Sequence, residues 1–176
     1  KRGEWAGAAV AAASAAEAHA RYAAAYHLLA LSLDHLGQRN KAFDMFERAL
    51  SLDPQNASLT LDLANAATKL ELFGGAERAY RAYLALRPDC PKGLSGLAAC
   101  KLAAGDVDEA RRIVQSALDN TPESAVLWNT LGAILTEACD FEGAIAAYAP
   151  AQRLAPATAS TFHNIAHAQS HTGHHE

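Results

Sequence analysis

Apolar residues recur along the chain at the spacing of an α-helix. They form segments that come in pairs. Short polar or glycine-containing segments separate the two apolar segments of each pair: HLGQRN, KLELFGG, LAAGDVD and EACDFEG. A proline follows each pair at a constant interval of 34 residues, at Pro54, Pro88, Pro122 and Pro156. Because proline lacks an amide N–H and disrupts helix interiors, we expect each proline in the loop that ends a second helix. The pattern predicts a repeated unit of helix, turn and helix.

Small residues occupy the same phase in every unit. One column holds Ala30, Ala64, Ala98, Gly132 and Ala166, and another holds Ala8, Ala42, Ala76, Ala110 and Ala144. Small columns on facing helices let the backbones approach closely, while aliphatic and aromatic neighbours fill the gaps beside them. Glycine costs a helix interior about 1 kcal/mol relative to alanine, so some neighbour must need the space at Gly132. We expect that neighbour to be Ala144.

This pattern resembles the tetratricopeptide repeats, whose 34-residue unit carries an aromatic, a leucine, a glycine or alanine, then alanine, aromatic, alanine and proline. Two units depart from it, because Thr60 and Leu94 replace the first aromatic residue. Tyr83 also stands where other units have alanine, and we expect it to push adjacent units apart or to need a compensating gap. The resemblance implies an all-α, right-handed α-solenoid of tandem helix-turn-helix repeats. The fullest match is Trp128, Leu131, Gly132, Ala144, Tyr148, Ala151 and Pro156.

The period also sets the boundaries of the units. Residues 1–22 are expected to form the second helix of a preceding repeat, and 159–176 the first helix of a following one. Between them lie complete repeats at 23–56, 57–90, 91–124 and 125–158. We interpret the chain as one continuous domain and as a fragment of a longer protein. The alternative is a natural chain that carries a half-unit at each end.

Composition excludes several classes of function. A formal net charge of -4 provides no basic field for a polyanion, so nucleic acid is not an expected partner. No stretch approaches the roughly 20 strongly apolar residues that span a bilayer. We therefore expect no membrane insertion and a cytoplasmic protein, with the periplasm as the alternative location. Composition leaves the oligomeric state open.

Residue types also give little sign of chemistry. The chain has no glycine-rich phosphate loop, nucleophile elbow or metalloprotease helix, so we predict no catalytic activity and no cofactor. Cys90, Cys100 and Cys139 contain no CxxC pair and are expected as small core residues.

The resemblance implies that the first helix of each unit lines a concave binding groove. Its lining is mixed, and amides and hydroxyls there could pair with the backbone of an extended peptide beside apolar contacts. The family's lysine and asparagine clamp for acidic chaperone tails is absent. The asparagine ladder of glycosyltransferase arrays is not supported either, since only Asn164 is in that phase. The predicted lining residues are His27, Leu31, Leu61, Asp62, Asn65, Lys69, Lys92, Asn129, Thr130, His163, Asn164 and His167, with His35, Ser95, Ala99 and Glu137 in the same phase.

We therefore predict a non-catalytic scaffold that binds a peptide or partner protein, for example in a bacterial assembly or secretion pathway. The alternative is the substrate-recruiting region of a larger transferase, a protein glycosyltransferase or sulfotransferase, whose catalytic domain lies outside this chain. His163, His167 and His171 recur four residues apart, followed by His174 and His175. Imidazoles at that spacing could hold a transition metal or respond to protonation, but we interpret them mainly as polar lining.

Overall fold

The computed structural model describes residues 2–156 and 159–172, and for residues 159 and 160 it describes the backbone alone. Within these ranges the chain forms ten α-helices and no strand, which confirms the predicted all-α class. The helices are α1 Arg2–Ala18, α2 Ala23–His35, α3 Arg39–Leu52, α4 Ala57–Lys69, α5 Phe73–Leu86, α6 Pro91–Ala103, α7 Val107–Asn120, α8 Ala125–Glu137, α9 Phe141–Leu154 and α10 Ala159–His171. None of the described helices has the length and apolar character needed to cross a membrane.

The chain divides into two compact units, Lys1–Pro88 and Asp89–Glu176. The first unit contains α1 to α5 and the second contains α6 to α10. The repeat phase passes through the division without a break, so the period alone does not reveal it. Tyr83 is 7% exposed and lies in α5, the last helix of the first unit. Its predicted effect on neighbouring repeats stays a prediction.

In the first unit each helix packs on the next one along the chain. The α2–α3 core joins one member from each of the two small columns, Ala30 and Ala42, which are both 0% exposed. Phe46 and Ala66 complete this cluster, and Leu63 packs against it. The small side chains therefore lie where α2 and α3 approach closely, as the columns predict.

In the second unit α8 packs on α6, α7, α9 and α10. Gly132 on α8 belongs to the core, but the neighbour that needs its missing side chain is Tyr148 rather than Ala144. A Cβ atom at Gly132 would lie 2.4 Å from Tyr148 Cε1. Ala166, a member of the same column, is exposed, since no further described helix follows α10 to cover it.

The turns inside the hairpins share one backbone conformation. Gly37, Glu71, Gly105 and Cys139 have φ values of 81°, 59°, 82° and 58°, and they are spaced by the repeat period. In each turn the next residue donates its N–H to a carbonyl five residues earlier, as in a Schellman motif. Cys139 is therefore an exposed turn residue, which corrects its expected place in the core, whereas Cys100 is buried as expected.

Side-chain caps begin four of the helices. The side chains of Asn56, Asp106, Ser124 and Asp140 each accept a hydrogen bond from the backbone N–H three residues further on. Such caps satisfy amide groups that have no partner inside the helix. They fix the residues at which α4, α7, α8 and α9 begin, and with them the phase of the side chains along each helix.

Candidate functional site

The first helices of the first unit, α2 and α4, join polar side chains at two places. His27 Nε2 lies 2.8 Å from Asp62 Oδ2, and Lys69 Nζ donates to the carboxylate of Asp34. Both pairs link residues 35 positions apart, so they lie on the same side of neighbouring first helices. The structure thus pairs two predicted residues with each other, His27 and Asp62. It pairs a third, Lys69, with Asp34, which was not predicted although it lies 35 positions before Lys69, the same separation as in the first pair.

The other predicted residues of this unit are partly engaged elsewhere. Asn65 Oδ1 accepts a hydrogen bond of 2.8 Å from the hydroxyl of Tyr80 on α5. Leu31 packs against the core cluster of α2 and α3. Leu61 is half-buried on α4. The first unit therefore presents mostly side chains that are already paired or packed.

In the second unit, hydroxyl and amide groups link α6, α8 and α10. Ser95 Oγ lies 2.7 Å from Thr130 Oγ1, and the Thr130 hydroxyl donates to the Val126 carbonyl. Because Thr130 has only one proton to give, Ser95 is the donor to Thr130. Thr161 Oγ1 donates to Asn129 Oδ1 at 3.2 Å. Lys92, at the start of α6, is exposed.

A recess of about 250 Å³ lies among α8, α9 and α10, and we call it the α10 recess. It brings together three predicted residues, His163, Asn164 and His167, along with Glu137 of α8, which was also predicted to face the groove. Thr136 and Tyr148 also line it, although neither was predicted to belong to the binding surface. The complete lining is Ala133, Thr136, Glu137, Tyr148, His163, Asn164 and His167.

Tyr148 connects the core to the α10 recess. Burial raises the pKa of its phenol, while hydrogen bonds with Thr136 and Asn164 oppose that shift. Its hydroxyl lies 3.4 Å from Thr136 Oγ1, which donates its own proton to the Gly132 carbonyl. The Tyr148 phenol thus interacts with the side chains of both Thr136 and Asn164. This interaction orients the Asn164 amide, which also lines the recess.

The three predicted histidines of α10 separate into two groups. His163 and His167 line the α10 recess, whereas His171 stacks on Phe141 with ring centroids 4.7 Å apart. The His167 and His171 rings also meet edge to face, with centroids 4.9 Å apart. Among the described residues, no three metal-ligating side chains are grouped in a way that could hold an ion. His174 and His175 lie outside the described residues.

The tetratricopeptide repeat family matches three overlapping segments of the chain, residues 35–100, 67–134 and 101–165. The chain belongs to the tetratricopeptide repeat family. This match confirms the family that the repeat pattern indicates. Protein FlbA of Caulobacter vibrioides is 31% identical over 153 residues, which are 87% of this chain and 26% of FlbA. The chain thus spans about a quarter of the length of that relative.

Solved structures support the fold. A thermophilic TPR protein of Thermus thermophilus has a TM-score of 0.77 and 23% identity, over 86% of this chain and 84% of that chain. YrrB, described as a TPR protein with an unusual peptide-binding site, has a TM-score of 0.65 and 19% identity, over 96% of this chain and 87% of that chain. Together with the ten helices of the described ranges, these likenesses show an all-α helical repeat solenoid.

Proposed function

We propose that this chain is a protein-recognition scaffold whose second unit binds an extended peptide across α8 and α10. The observation that carries the proposal is the α10 recess, where hydroxyl, amide and imidazole groups of three helices converge in one concave space. Tetratricopeptide repeats are interaction modules, and YrrB is described as having a peptide-binding site. We further propose that this chain has no catalytic role of its own.

The groups of the recess suit the polar backbone of an extended peptide. A peptide bond offers one N–H donor and one C=O acceptor. The Asn164 amide oxygen can accept from such an N–H, and the imidazoles of His163 and His167 can donate to a C=O. Because Tyr148 holds the Asn164 side chain in place, less conformational freedom is lost when a peptide binds. The proposed ligand is therefore a peptide bound through its main chain.

The first unit supports a different contribution to partner binding. Its polar side chains already form the pairs His27 with Asp62 and Asp34 with Lys69. A partner that used these side chains would have to replace the existing contacts. Exchanging one hydrogen-bond partner for another yields little net free energy of binding. We propose that the first unit contributes shape and modest contacts, while the α10 recess contributes most of the specificity.

Isothermal titration calorimetry with selected peptides tests this proposal. Peptides selected from a random display library against the chain are titrated into the parent and into Asn164→Ala and Gln115→Ala variants. Gln115 is an exposed residue of α7, outside the recess lining, and serves as the matched control. We expect Asn164→Ala to raise Kd about tenfold, equivalent to roughly 1.4 kcal/mol for a hydrogen bond at a concave site.

The control variant should change Kd by less than about twofold, which corresponds to under roughly 0.5 kcal/mol. Equal affinities for the parent and Asn164→Ala would contradict the proposal, provided that both proteins unfold at the same temperature. A loss with Gln115→Ala alone would instead assign binding to the second helices.

The setting that we propose is a bacterial assembly or secretion pathway; the relative in Caulobacter vibrioides supports the bacterial origin alone. The transferase alternative assigns the same surface to an acceptor protein. The encoding gene distinguishes the two, because a nucleotide-binding α/β domain in the same reading frame would favour the transferase. Further repeats without such a domain would favour the scaffold.

A further inference from the structure

A second cavity lies in the first unit, on a side of α4 that does not carry the His27–Asp62 and Asp34–Lys69 pairs. It has a volume of about 320 Å³ and is lined by α3, α4 and α5, and we call it the α3–α5 groove. Phe43 and Leu50 from α3 and Leu63 from α4 provide its apolar walls. Small residues of α5, among them Gly75 and Ala79, leave the space open.

The second unit has the same arrangement of helices two repeats later, with a larger residue at its centre. Trp128 on α8 stands in the repeat phase of Thr60 on α4, 68 positions further along the chain. Trp128 packs against a buried cluster that includes Leu118, Leu131 and Leu135. Two of these correspond in phase to Leu50 and Leu63, which line the α3–α5 groove, and the third to Ala67, another lining residue. The same scaffold thus accommodates an indole where the first unit has a threonine.

We propose that the α3–α5 groove binds an aromatic side chain of a partner protein, beside the repeat position that Trp128 occupies in the second unit. Its volume of about 320 Å³ is at the lower end of the roughly 300–1,000 Å³ found for small-ligand pockets. It is therefore suited to one aromatic side chain rather than to a cofactor. An indole or phenyl ring buries enough apolar area there to provide a favourable free energy of binding.

Charges beside the groove indicate what surrounds that aromatic residue. Glu47 and Arg78 both line the groove and are exposed, and neither forms a hydrogen bond or ion pair within the part of the chain that the structure describes. The corresponding positions in the second unit are the uncharged Gln115 and Ala146. A partner segment with a basic residue on one side of its aromatic residue and an acidic residue on the other would complement both charges. This is the partner chemistry to which the proposal commits.

Nuclear magnetic resonance titration tests the groove with three probes. They are N-acetyl-tryptophanamide and the capped tripeptides Asp-Trp-Lys and Asp-Ala-Lys. We expect N-acetyl-tryptophanamide to shift the backbone amides of Phe43, Leu63 and Gly75 with a Kd of about 1 mM. The tryptophan tripeptide should bind more tightly, and the alanine tripeptide should give no shifts at these amides.

Thr60→Trp is the decisive variant, because it introduces the residue that the second unit already has at this position. We expect it to abolish the probe-induced shifts while the helical circular dichroism spectrum stays unchanged. Ser58→Trp, an exposed site on the same helix, is the matched control and should leave probe binding intact. If Thr60→Trp fails to fold, Gly75→Leu narrows the groove instead, because a Cβ there meets only Leu72 Cβ, at 4.0 Å.

Two results would overturn the proposal. One is the absence of shifts at the groove amides at probe concentrations of about 10 mM, well above the Kd expected for a buried aromatic ring. The other is undiminished binding of N-acetyl-tryptophanamide to a folded Thr60→Trp or Gly75→Leu variant. Neither result depends on the α10 recess, so the two proposals fail independently.

Discussion

Gly132→Ala should destabilise the second unit even though alanine is the better helix former. In an unobstructed helix interior the substitution stabilises by about 1 kcal/mol. At Gly132, however, the new Cβ would lie 2.4 Å from Tyr148 Cε1 and 2.6 Å from both Cδ1 and Cζ. Tyr148 is only 1% exposed, so moving its ring away from a new Cβ would disturb the packing of the core. Overpacking of this kind costs about 1–3 kcal/mol, so we expect a net loss of up to roughly 2 kcal/mol.

Thermal unfolding followed by circular dichroism measures this loss. For a chain of this length 1 kcal/mol corresponds to about 2–4 °C in Tm, so Gly132→Ala should lower Tm by several degrees. Gly74→Ala is the matched control, because a Cβ at Gly74 meets no atom within 4 Å. We expect Gly74→Ala to leave Tm unchanged or to raise it slightly.

A double mutant tests the cause of the loss. In the phases of Gly132 and Tyr148 the earlier repeats have Ala30 with Phe46, Ala64 with Tyr80 and Ala98 with Val114, so an alanine here is not excluded by residue type alone. The expected clash comes from the position of the Tyr148 ring against Gly132. Gly132→Ala should therefore cost less in a Tyr148→Val background, with a coupling of about 1 kcal/mol. Strictly additive effects, or a Gly132→Ala protein that melts above the parent, would refute the close-packing argument.

The backbone of the turns and the buried phenol lead to two other expectations. Cys139→Gly should raise the free energy of unfolding by up to about 1 kcal/mol, because glycine adopts a positive φ without strain. For the same reason Gly105→Ala should lower the free energy of unfolding by a similar amount. Denaturant titration measures both changes, and unchanged unfolding midpoints would contradict the left-handed turns. Because the pKa of Tyr148 is raised, the folded state holds the phenol proton more strongly than the unfolded state does. The protonated phenol therefore contributes stability that is complete below the ordinary pKa of about 10. That contribution is lost as pH rises through the pKa of the folded state. Tyr148→Phe should weaken that alkaline loss of stability, and an identical pH profile for the variant and the parent would contradict the assignment.

The repeat period predicts most of the fold because each helix face recurs several times in phase. The first helices α2, α4, α6, α8 and α10 begin at residues 23, 57, 91, 125 and 159, one period apart. The turn conformation was harder to predict, because two of the four positions hold Glu71 and Cys139 rather than glycine. There the hydrogen bonds of the helix end impose a positive φ on residues that do not favour it. Only the period reveals that all four turns are equivalent.

The candidate site was predicted only in part, for a physical reason. The helical phase identifies exposed positions of the first helices, which is how His163, Asn164 and His167 were found. It assigns Tyr148 to the core, where its ring does lie, but does not show that its hydroxyl reaches Thr136 and Asn164. A long side chain such as that of Tyr148 can extend from the packed face of one helix to the exposed face of another. Phase alone does not contain that information.

A backbone-amide shift map of the chain, titrated with a selected peptide, tests directly whether the first helices of the second unit bind the ligand. We expect the largest shifts on α8 and α10, including those of Asn164 and Glu137, and we expect Asn164→Ala to need about ten times more peptide to reach half of the full shift. Shifts confined to the exposed residues of α7 and α9, with the amides around the α10 recess unchanged, would contradict the proposal that these first helices form the binding surface.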